Sequence, residues 1–181
     1  MSNNTKPTEG SDNIESDTSK FDYRSFKYIY PPNSREQEQL DIMMKDEYAG
    51  KDPLDPKYIE NDIAFETDFW SVSWNKFPYD GAKKQFLIVI KQPVYDMADL
   101  SSEMWLDLQS VLAKLKNDFG VIGGAFCVRY GDPALSGASL KRLHAHAILP
   151  DDGCKVSFKI GGKSRLKEHL VIKSPEELGQ N

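Results

Sequence analysis

Apolar and polar positions along this chain fall into blocks of different period. Met104, Trp105, Leu108, Val111, Leu112, Leu115 and Phe119 recur at helical spacing. Ser101-Ser102-Glu103 supplies an N-cap and a first-turn acid, and Gly120 supplies the stop. The pattern predicts a one-sided helix over about residues 100–117, of the kind that lies across a sheet. Residues 85–91, Gln-Phe-Leu-Ile-Val-Ile-Lys, form a continuous apolar run that predicts a central, buried strand. Ahead of it, residues 63–75 read as one strand, with Phe69, Ser71, Ser73 and Asn75 on one face and Trp70, Val72 and Trp74 on the other. Asp80-Gly81 between these runs predicts a hairpin. Residues 123–130, 142–149 and 154–160 predict three more strands. A shorter helix is predicted over 35–48 from Leu40, Met43 and Met44, with Ser34 and Gln37 at capping-box spacing and Gly50 at its end.

These blocks define an α+β chain: an antiparallel sheet of about five strands with a long helix packed on one face. Residues 1–20 are nearly free of apolar side chains and read as a disordered tail. Residues 21–62 form an arm and helix, and the aromatics Phe21, Tyr23, Phe26, Tyr28 and Tyr30 mark the arm as a packing element. Residues 63–160 form the main domain and 161–181 a C-terminal extension.

A net charge of -5 argues against a general nucleic-acid-binding surface, while leaving room for a local basic pocket. Cys127 and Cys154 match no zinc or redox spacing, so a reduced, cytoplasmic setting is expected. No apolar run approaches the roughly 20 residues of a membrane span, and the polar start has no apolar signal core.

The chemistry concentrates at residues 136–150. In an extended strand Arg142, His144 and His146 point to one face, and Leu143, Ala145, Ala147 and Leu149 to the other. Two imidazoles and a guanidinium in a row suit an anion and place a nucleophile among the donors. An ordinary half-buried strand with polar residues outward has the same alternation.

With its flanks, this stretch resembles the histidine-triad (HIT) superfamily, whose motif is His-φ-His-φ-His-φ-φ with φ apolar, preceded by Gly-x-Ser or Gly-x-Thr. Here Gly137-Ala138-Ser139 precedes and Pro150 follows. Counting from Gly137 puts Arg142 at the first histidine position, His144 at the second and His146 at the third. A second register, with His144 first, His146 second and Ile148 third, fits that glycine spacing less well. Residues 75–79, Asn-Lys-Phe-Pro-Tyr, resemble the family's Asn-x-x-Pro loop, and Gln85 falls at or near a position that is often histidine. The likeness runs from about residue 69 to 150.

The resemblance implies a HIT-like fold and a homodimer. It implies a nucleotide hydrolase or transferase acting at an α-phosphate through a nucleotidyl-histidine on His144, with His146 and Ser139 assisting. Substrate contacts are implied for Asn75 at the ribose, for Gln85, Gly137 and Arg142, and for Phe69 and Trp70 as candidates for the base wall. The partner would be a nucleotide or nucleotide conjugate, and no metal or other cofactor is expected. Arg142 fits either phosphate binding or an ion pair with Asp151 or Asp152. Its presence and that of Gln85 support an alternative, a nucleotide-binding protein with weak or no catalysis. A third reading is a metal site on His144 and His146 completed by His169, Asp132 or another acid.

Overall fold

A computed structural model describes residues 22–58 and 63–180. The expected tail at 1–20 lies outside the described residues. The main elements are α1 (Gln37–Tyr48), β1 (Ile63–Glu66), β2 (Trp70–Trp74), β3 (Ala82–Ile90), α2 (Ser102–Phe119), β4 (Ala125–Arg129), the single turn α3 (Pro133–Ser136) and β5 (His144–Pro150). The five strands form one antiparallel sheet in the order β1-β2-β3-β5-β4. This is the α+β arrangement expected from the sequence, with β2 and β3 joined as a hairpin. The histidine-bearing β5 is an interior strand, hydrogen-bonded to a neighbour on each side.

The sheet has two unlike faces, because side chains alternate along every strand. On one face Val72, Phe86, Ile88, Ile90, Ala145 and Ala147 pack against Met104, Leu108, Val111 and Leu115 of α2. Alanine at both β5 positions leaves room for the helix to lie close. Ser101 Oγ accepts from Met104 N–H at 3.3 Å, and Gly120 ends the helix at φ 66°. Burying this apolar set drives the docking of α2.

On the other face, register places Gln85, Leu87 and Val89 beside Ile148, His146 and His144. Leu54 covers Leu87 and Val89. The N-terminal arm runs beside residues 139–141, with Tyr30 N–H donating to Ser139 O at 2.7 Å and Lys141 N–H to Tyr28 O at 2.8 Å. Leu40, Met43 and Met44 of α1 pack with Ile29, Leu170 and Leu178, so the two ends of the described chain share one apolar cluster.

Three expectations change. Residues 63–75 are two strands rather than one, because Thr67 turns the chain: its N–H donates to Trp70 O at 2.9 Å and its Oγ1 accepts from Trp70 N–H at 3.2 Å. Residues 154–160 are not a strand, and β1 makes up the five. Val156 and Phe158 do point inward in alternation, but the segment crosses the histidine face as a strap and pairs with no strand edge. The capping box does not form. Glu36 is the N-cap of α1, and Gln37 Nε2 turns to Asp41 Oδ1 at 2.6 Å and Val171 O at 2.8 Å. Among the described residues no helix is long and apolar enough to cross a membrane.

Candidate active site

The sheet brings Gln85, His144 and His146 into direct contact. The two imidazoles lie 5.4 Å apart between ring centres, at 82° to one another. His144 Nδ1 is 2.8 Å from Arg142 O. A carbonyl only accepts, so Nδ1 carries the proton and Nε2 the lone pair. No hydrogen-bond partner for His144 Nε2 is found among the described residues. Gln85 Oε1 accepts from Tyr79 N–H at 2.7 Å, which turns the amide nitrogen toward His146 Nδ1, 3.1 Å away. His146 Nδ1 therefore accepts, and its proton sits on Nε2. Both tautomers follow from these partners.

Burial pushes both histidines below the ordinary imidazole range, His146 well below. The neighbouring His144 and then the cations Arg129 and Arg35 depress His146 further, whereas the bond to Arg142 O partly offsets the effect at His144. At neutral pH the pair is uncharged, with one bare acceptor nitrogen and one N–H. A lone-pair nitrogen beside a donor is the arrangement needed to attack an electrophile while holding an oxygen on it.

Arg142 stands just outside β5, which begins at His144 rather than at 142. Its side chain is 4% exposed and turns away along the strand end. Nε donates to Asp52 Oδ2 at 2.7 Å, Nη1 to Lys91 O at 2.8 Å, and Asp55 lies 3.7 Å from Nη2. The expected partners Asp151 and Asp152 are not used, and Asp151 pairs with Lys83 instead. The sequence reading missed Asp52, because its Asp-Pro setting read only as turn chemistry. The visible role of Arg142 is to pin the 52–55 loop and to present the carbonyl that orients His144.

Asn75 joins the cluster through the hairpin, where its N–H donates to Gln85 O at 2.9 Å and its Oδ1 accepts from Phe77 N–H at 3.0 Å. Among the described residues no hydrogen bond links Ser139 or Gly137 to either imidazole. Gly137 ends α3 at φ 85°, where a Cβ would lie 2.8 Å from Gly161 O, so only glycine fits there. Trp70 and Phe69 do not wall this site. Trp70 is paired with Ile90 on the α2 face and donates from Nε1 to Met104 O at 3.0 Å, and Phe69 packs on the same side.

The residues that do cover the imidazoles are Tyr79, Phe158, Arg129 and Arg35. Tyr79 and Phe158 meet the His146 ring edge-on at 5.7 and 5.9 Å, and Arg129 lies over Phe158 at 3.7 Å. Arg35 lies over Tyr79 at 4.6 Å. Arg129 alone carried a usable sequence signal, since strand alternation puts it on one face with Cys127. Under this cover His144 and His146 are only 6% and 8% exposed.

A metal site is not supported. Among the described residues no group of three or more His, Cys, Asp or Glu side chains could hold an ion. Asp132, one suggested ligand, instead caps α3 through Ala134 N–H at 2.8 Å and pairs with Arg24 at 3.1 Å.

No protein-family model matches this chain, and no curated protein matches it. Solved structures to which it is similar include histidine-triad proteins. A Hit-like protein is 22% identical, with 55% of this chain and 95% of that one covered and a TM-score of 0.47. A histidine triad protein from Clostridium difficile is 20% identical, over 59% and 91%, at 0.45. A HIT family hydrolase from Legionella pneumophila Philadelphia 1 is 18% identical, over 55% and 88%, at 0.43.

Proposed function

We propose that this protein is a nucleotide hydrolase or transferase that works through His144. The observation that carries the reading is the complementary tautomer pair: a bare Nε2 on His144 beside an N–H at Nε2 of His146. In the proposed reaction the His144 lone pair attacks the α-phosphorus of a nucleotide conjugate. An N–P bond forms, the bond from phosphorus to the leaving group breaks, and that group departs with the electron pair. His146 Nε2–H donates to a phosphate oxygen as charge builds there. Water or another acceptor then attacks phosphorus, releases the nucleotide and restores neutral His144. The Nδ1–H bond to Arg142 O keeps the attacking nitrogen in the correct tautomer throughout.

Incubation with adenosine phosphoramidate and with diadenosine polyphosphates tests this. Turnover is expected, with His144→Ala reducing it by at least about a thousandfold. No turnover by the native chain would end the reading.

A second reading, nucleotide binding with little catalysis, is favoured by one specific observation: the imidazole pair is covered, and Arg142 is neutralised by Asp52. It expects nucleotide affinity without turnover. Homodimer formation and a cytoplasmic setting belong to the proposal as well, and sedimentation of the purified chain tests the first.

A further inference from the structure

The histidine face carries two guanidinium groups for which no carboxylate partner is found among the described residues. Arg129 stands opposite His144 in the β4–β5 register. Its Nε and Nη2 donate to Lys159 O at 3.2 and 2.7 Å, and its Nη1 donates to Tyr79 Oη at 3.2 Å. Every acceptor it meets is neutral. Arg35 lies over the Tyr79 ring and donates to Phe77 O, again a neutral partner. Arg142, by contrast, spends its charge on Asp52. A guanidinium never loses its charge at physiological pH, and a phosphate oxygen pair matches its fork better than one carbonyl does.

The group that now fills the fork belongs to the strap, residues 155–160. One end of the strap is tied where Cys154 N–H donates to Asp151 O at 3.0 Å. At the other end Gly162 N–H donates to Leu135 O at 3.2 Å. Gly153 at φ 72° and Gly161 at φ 112° flank it. Between those ends no backbone N–H of residues 155–160 finds a partner among the described residues. What holds the strap down is the Phe158 ring, edge-on to His146 and Tyr79, together with the Arg129 contacts. Arg129 thus both carries charge on this face and helps to latch the strap.

We infer that Arg129 is the substrate-phosphate ligand of this site and that the strap occupies it when no anion is bound. A phosphate chain takes the guanidinium from Lys159 O, Phe158 leaves His146, and the imidazole pair becomes reachable. The inference rests on the reading of His144 and His146 as a phosphate-reacting pair, but its test does not depend on turnover.

The probe is inorganic tripolyphosphate, added to the full chain, with affinity measured by calorimetry and strap opening by the rate of tryptic cleavage at Lys155 and Lys159. Cleavage in the strap should quicken on binding. Phe158→Ala should bind about tenfold more tightly, because the closed state no longer competes. Arg129→Gln should bind at least about tenfold more weakly, with Arg129→Lys in between, since it keeps the charge and loses the fork. Melting curves identify any variant that has merely lost its fold, and the Lys variant and cleavage of the native strap then decide. Equal affinity in the native chain and Phe158→Ala, undiminished affinity in a folded Arg129→Gln, or strap cleavage that does not quicken with tripolyphosphate, overturns the inference. If that happens while the native chain turns over diadenosine polyphosphates, the proposed function survives alone. If the binding results hold but nothing is turned over, the inference stands and the enzyme reading falls.

Discussion

On the α2 side of the sheet, the packing is apolar: Phe86, Ile88 and Ala147 meet Leu108, Val111 and Leu115, beneath an 18-residue helix whose first turn is capped by Ser101 and whose end is closed by Gly120. On the other side, β5 presents two imidazoles to a cover made of ring edges, two arginines and a strap without a hydrogen-bonded ladder. Both sides exclude water, yet only one is closed by forces that resist opening. Apolar area buried under a helix is costly to re-expose, whereas edge-on rings and neutral acceptors on a cation can be exchanged for a ligand at little net loss. One strand thus serves as core on one face and as a reactive surface on the other.

The sharpest way to break this contrast lies at the strand's entrance, where burial is polar but permanent. Arg142→Ala should cost about 3–5 kcal/mol in denaturant unfolding, because it strands a buried carboxylate. The double change Arg142→Met with Asp52→Leu should recover most of that loss. Next comes the α2 face, where Leu108→Ala should cost about 3 kcal/mol by the same measurement. The pH dependence is smaller. Both histidines have lowered folded-state values, so above the ordinary imidazole value of about 6.5 they are neutral folded or unfolded and contribute no slope. As pH falls below that value the unfolded chain takes up protons that the folded chain refuses. Stability should then drop by at most about 1.4 kcal/mol per pH unit for each histidine, until the folded values are reached. His146→Gln should flatten the fall in a pH series of melts. The smallest effect belongs to the strap: Phe158→Ala should change stability by less than about 1 kcal/mol. If it costs as much as Leu108→Ala, the two faces are closed alike and the contrast is lost.

Period alone carried the elements a long way. The apolar stripe of α2 gave its caps to within two residues, since Ser101 and Gly120 announce themselves chemically. The alternation of β5 put His144 and His146 on one face, and the β3 run placed Gln85 on the strand that meets them. What covers that face was not readable, because it depends on contacts between distant positions. Asp52 and Arg142 are 90 residues apart, and neither end of the pair differs locally from a turn aspartate or an exposed arginine. The strap shows the limit of periodicity in another way. Val156 and Phe158 alternate because one side of the segment is buried, and that pattern is the same whether or not a neighbouring strand supplies a ladder.

The Arg142–Asp52 pair also constrains how this chain can vary over time. A histidine placed at position 142 would leave the Asp52 carboxylate without its guanidinium, and losing Asp52 first would leave a buried permanent cation with the Ile90 and Lys91 carbonyls and only the longer contact to Asp55. Each single step unbalances a buried pair at a cost of about 3–5 kcal/mol, so the two positions should be inherited as a couple.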